Sequence, residues 1–138
     1  MIAAQKSFDR VMPSGAIVAH RLDGKYDFSR QHAQLGHLRS VRILASLPLT
    51  DEQSARLRAL LNSTDSFGGK AMRCFMPGVG FTVGNGAEAV EVLVCLQCYW
   101  VYFFNVETKM MEALSQVGHR QLSEFYVELF PGSDPKAA

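Results

Sequence analysis

What the chain lacks narrows its possibilities before any motif is weighed. Its three cysteines are too few, and odd in number, for the disulfide framework of a small secreted domain. Fourteen Lys and Arg stand against thirteen Asp and Glu, which leaves a net charge of only +1. Phosphate backbones are held by a clustered excess of cations, and the densest basic stretch, Arg39-Ser40-Val41-Arg42 near His37, is too small to supply one. Nucleic acid is therefore not expected as a partner. No apolar run approaches the ~18 residues of a membrane-spanning helix, so no membrane is expected either. Residues 1–10 lack the apolar core of a signal peptide, which makes a cytoplasmic setting the expectation; a chain trimmed of an export signal would read the same way. There is no internal repeat, low-complexity tract or linker.

Catalytic signatures are missing as well. The chain has no G-x-S-x-G and no H-E-x-x-H. Gly78-Val79-Gly80 with Gly84 lies in a hairpin pattern instead of opening a helix, and Gly68-Gly69-Lys70-Ala71 lacks the first glycine and the hydroxyl of a phosphate loop. No catalytic residue is assigned, and a non-enzymatic role is the expectation.

What is present is a 138-residue chain with 48% hydrophobic residues, enough to bury one core without metal or disulfides. It reads as a single domain over 1–138. Apolar spacing suggests a short helix over 2–12 and a strand over 16–22. Asp23-Gly24 is a tight-turn pair from which 25–28 should return as a second strand. A strand over 37–46 follows. Thr50-Asp51-Glu52-Gln53 is a capping box that should open a helix reaching Asn62. Residues 70–76 and 79–83 read as strand broken at Pro77-Gly78, with Asn85-Gly86 turning the chain into a strand over 88–95. Residues 99–104 are apolar on both sides and should form a doubly covered strand. A helix over 118–130 presents Leu122, Phe125, Tyr126 and Leu129 on one face, and 133–138 should fray. Strands in hairpin groups, with two or three helices, predict an α+β fold with an antiparallel or mixed sheet.

The chemistry concentrates in Cys74-Phe75-Met76-Pro77 and Cys95-Leu96-Gln97-Cys98, which hold all three cysteines. A two-residue turn at Asn85-Gly86 would make paired positions sum to 171. Cys74 would then face Gln97, and Cys74 and Cys95 would be diagonal neighbours on one sheet face. Cys98 would point to the other face of a straight strand, and converges only if 95–98 bends into a knuckle. Three readings follow. Buried, reduced thiols are the usual fate of free cysteine. Zinc needs a fourth ligand, and His20, His32, His37 and His119 lack diagnostic spacing. The third is a redox pair or disulfide, Cys95–Cys98 or Cys74–Cys95; a redox pair would need a lowered thiol pKa, whereas apolar strands raise it. Cys74, Cys95 and Cys98 are thus candidate ligands only, with no resident cofactor expected and zinc as the alternative.

The C-F-x-P element, the intervening hairpin and the hydrophobic-C-x-x-C followed by an aromatic strand resemble a group of uncharacterised bacterial proteins. In that group the proline is often followed by a basic residue and then His or Tyr; here Gly78 and Val79 stand there. The resemblance covers about 70–104. It implies a bacterial origin and a shared hairpin, and no particular activity. The functional expectation is a small non-catalytic protein acting through protein–protein contact, of immunity or accessory type, in an oligomeric state the sequence does not encode. The alternative is a cysteine-centred module for metal or thiol redox chemistry.

Overall fold

The valines at 90, 92 and 94 and the residues Val101 and Phe103 all demand burial on one side of their strands. The computed structural model, which describes residues 13–25, 36–105 and 108–138, meets that demand with a curled antiparallel sheet. Its strands are β1 (Ile17–Leu22), β2 (His37–Leu38), β3 (Val41–Pro48), β4 (Val79–Val83), β5 (Val90–Cys95), β6 (Trp100–Phe104) and β7 (Lys109–Ala113), in the order β2-β3-β1-β4-β5-β6-β7. Two helices, α1 (Asp51–Asn62) and α2 (Gln116–Leu129), cover one face. The predicted α+β class holds, and every described strand pair is antiparallel.

The helices form because their ends are satisfied locally. Thr50 Oγ1 accepts from the Gln53 amide at 3.1 Å while Gln53 Oε1 accepts from the Thr50 amide at 3.0 Å, the expected reciprocal cap. Helix α2 starts two residues before the predicted 118, because the Ser115 hydroxyl accepts from the Gly118 amide at 3.0 Å. Gly118 itself lies against the Ser66 carbonyl, where any side chain would collide. Leu57, Leu61, Leu122, Phe125, Tyr126 and Leu129 meet Ile17, Phe81, Val92 and Phe103 in the main core. Arg56 grips Glu128 with two bonds, at 2.7 and 3.0 Å, and ties the exposed edges of the two helices together.

Several expectations are corrected. Residues 37–46 form a hairpin, not one strand: Arg39 takes φ +57°, and His37 and Leu38 pair with Arg42 and Val41. The β4–β5 connection is longer than two residues. It includes a short 3₁₀ turn at Gly86–Glu88, so Val83 pairs with Val90 and partners sum to 173. A shift of two preserves every face, so the predicted valine stripe still points to the helices. Residues 70–76 are not strand. β7 was not anticipated. The 133–138 segment does not fray: a 3₁₀ turn at Pro135–Ala137 leads to Ala138, 2% exposed, whose carbonyl accepts from the Gln97 amide at 2.9 Å. Both edges of β1 are filled, by β3 and β4. The helix over 2–12 and residues 26–28 of the expected return strand lie outside the described residues.

Candidate functional site

The second face of the sheet has its own apolar cluster: Leu22, Leu38, Val41, Phe75, Leu93, Cys95, Cys98, Tyr102 and Phe104. No helix covers it. Part of its cover is the chain between Lys70 and Gly78, which passes over the sheet as an irregular strap. Pro77 removes a donor and the strap does not join the ladder. Instead, Phe75 drops into the cluster and stacks on Tyr102, ring centroids 4.1 Å apart at 26°. Polar contacts among the described residues hold the strap as well. The Met72 amide donates to the Cys98 carbonyl at 2.9 Å, and the Trp100 indole donates to the Met72 carbonyl at 2.6 Å. The Leu22 amide donates to the Gly78 carbonyl at 2.9 Å. Met72 and Met76 are 56% and 42% exposed on its outer side.

One covalent link fastens the strap. Cys74 is disulfide-bonded to Cys98, with Cα atoms 6.0 Å apart. The expectation of three reduced thiols is therefore overturned for this pair. Cys98 reaches Cys74 because 95–98 does not continue as strand. It bends into a knuckle that ends at Tyr99, φ +64°, before β6 begins at Trp100. That bend puts Cys98 on the same side of the sheet as Cys95, where a straight strand would have opposed them. The expected Cys74–Cys95 adjacency is replaced by a Cys74–Cys98 bond, because 70–76 leaves the ladder on which the register arithmetic depended.

The two cysteines of the bond are unequal. Cys74 is exposed, and Cys98 is fully buried. Cys95 is the free thiol, also fully buried. Its Sγ accepts from the Met76 amide at 3.4 Å. Burial pushes the Cys95 thiol up from its ordinary range, and the amides of Met76, Cys98 and Gln97 pull the other way. In this oxidised state, no group of three or more His, Cys, Asp or Glu among the described residues is placed to hold a metal ion.

The histidines named as possible fourth ligands are placed elsewhere or not described. His20 lies in central strand β1, its ring nitrogens 2.8 Å from Ser46 Oγ and 3.0 Å from Thr82 Oγ1, and burial pushes its pKa down. It is buried, with both ring nitrogens satisfied. His119 stacks on Tyr99 at 4.0 Å and 9° and donates from Nε2 to the Leu96 carbonyl at 2.9 Å. His37 sits in β2, and His32 lies outside the described residues. What sequence reading missed is the strap, Trp100 as its clamp, and Tyr99 as the pivot of the knuckle. The one available signal was the proline at 77, which argued against a continuous ladder. None of the described helices is long and apolar enough to cross a membrane. Comparison with family models, with curated proteins and with solved structures finds no match.

Proposed function

We propose that this protein is a thiol–disulfide module in which the Cys74–Cys98 bond latches the 70–78 strap over the second face of the sheet. The observation that carries the reading is the asymmetry of that bond: an exposed cysteine on an irregular segment outside the ladder, joined to a buried one on the knuckle. An incoming thiolate reaches Cys74 Sγ from solvent. It forms a mixed disulfide there, and Cys98 leaves as a thiolate that takes up a proton. A second thiol of the same dithiol then resolves the mixed disulfide and frees Cys74. Two electrons and two protons pass from the dithiol to the pair. Were the compartment a reducing one, a disulfide of this sort would be transient and regulatory instead of architectural.

A second reading has one observation in its favour. Met72 and Met76 are exposed on the strap itself, and methionine adapts readily to a partner surface. The strap would then be the contact surface of a non-catalytic interaction protein, and the latch would set its shape.

Titration in dithiol buffers of graded potential, read by thiol trapping and mass spectrometry, tests the proposal. The expected result is a reversible two-electron transition confined to Cys74 and Cys98, with Cys95 unmodified in the folded protein. A bond that forms in no buffer, or that resists dithiol until the protein is denatured, would overturn it.

A further inference from the structure

We propose that the reduced chain holds one soft, thiophilic cation of the copper(I) class through Cys74, Cys95 and Cys98, so that metal and disulfide exclude each other. The inference rests on the latch being open and deepens the cysteine-centred reading.

Three features carry it. The first is the knuckle. Cys95 and Cys98 are set three apart around a bend that brings both into one apolar cluster, and Tyr99 holds the left-handed conformation that closes it. The second is a backbone donor. The Met76 amide points at Cys95 Sγ, 3.4 Å away, and an N–H group directed at sulfur stabilises a thiolate and its metal bond. The third is donor chemistry. The strap carries the third thiol, Cys74, already joined to Cys98. His20 and His119 are held by partners on other elements. A sulfur-only set selects soft ions and suits three-coordination, whereas structural zinc wants a fourth ligand.

The balance is simple. Opening the latch takes two electrons and two protons from a dithiol, as above. The cation then displaces three protons from three thiols and changes no oxidation state.

The probe is copper(I) supplied as its bathocuproine disulfonate complex to anaerobic, pre-reduced protein, with retained metal measured after desalting. One copper per folded, reduced chain is expected, and none on the disulfide form. Cys95→Ser should bind about 100-fold more weakly, as should Cys74→Ser, an exposed change that leaves the core intact. The same reduced chain in urea should also bind about 100-fold more weakly, because its thiols are no longer gathered. Equal binding by folded and unfolded chains, retention by the disulfide form, or an unaffected Cys95→Ser would each overturn the site. Reversible disulfide cycling without copper uptake would remove this inference and leave the latch standing. Copper uptake by a chain that never forms the disulfide would do the reverse.

Discussion

His20 illustrates how a single buried side chain couples the fold to pH. Its ring is held neutral between Ser46 and Thr82, where one nitrogen donates and the other accepts, and burial lowers its pKa. The unfolded chain binds a proton near the ordinary value of about 6.5, while the native state refuses it until lower pH. Stability from this residue is therefore present above about pH 7 and is lost as pH falls through 6 toward the folded value, at no more than about 1.4 kcal/mol per pH unit. Urea midpoints at pH 7.5 and 5.5 should diverge more in the native sequence than in His20→Gln; an equal fall in both would assign the pH dependence elsewhere. Tyr99 is a different kind of residue. A bulky side chain at φ +64° is a rare conformation that costs of order 1–3 kcal/mol. It is offset here by stacking on His119 and by the Tyr99 carbonyl accepting from the Leu114 amide at 2.8 Å. Glycine or asparagine at 99 would have signalled the knuckle in the sequence. An aromatic residue conceals it, because its conformation is imposed from α2 and the chain around Leu114.

Elements governed by local rules were legible, and those governed by distant partners were not. The start of α1 follows from four consecutive residues, and the reciprocal Thr50–Gln53 bonds are present. Thr50→Ala should lower unfolding free energy by about 1 kcal/mol, seen as a lower denaturant midpoint with an unchanged slope; no shift would mean that the cap is redundant. The face of α2 and the valine stripe of β5 were legible for the same reason, since periodicity is local. The β2–β3 hairpin was not, because Arg39-Ser40 lacks turn glycines and Arg39 is steadied from afar. It pairs with Glu91 at 2.8 Å and lies 4.3 Å over the Phe104 ring. The strap misled most. Lys70 to Met76 has apolar residues that read as strand, yet Phe75 anchors to a tyrosine 27 positions later in the chain. The cysteine cluster was found as a place. Its pairing was not, since pairing depended on a ladder that 70–76 never joins.

At the scale of the molecule, two cores share one sheet, and they are secured differently. The helix-side core rests on capped helices and long, interlocked side chains. The second core rests partly on the strap, a few hydrogen bonds and one disulfide. Closing a loop with a sequence separation of 24 stabilises the fold by about 3–4 kcal/mol in the chain-entropy description. That is less than the whole of the ~5–15 kcal/mol typical of a domain. Reduction should therefore loosen the strap and leave the sheet and helices folded. Amide hydrogen exchange on the oxidised and reduced forms measures this directly. The account predicts that the Met72 and Met76 amides lose protection on reduction, while β4, β5, β6 and α2 keep theirs. Unchanged protection at both strap amides, or its loss throughout the sheet, would contradict a redox latch confined to this segment.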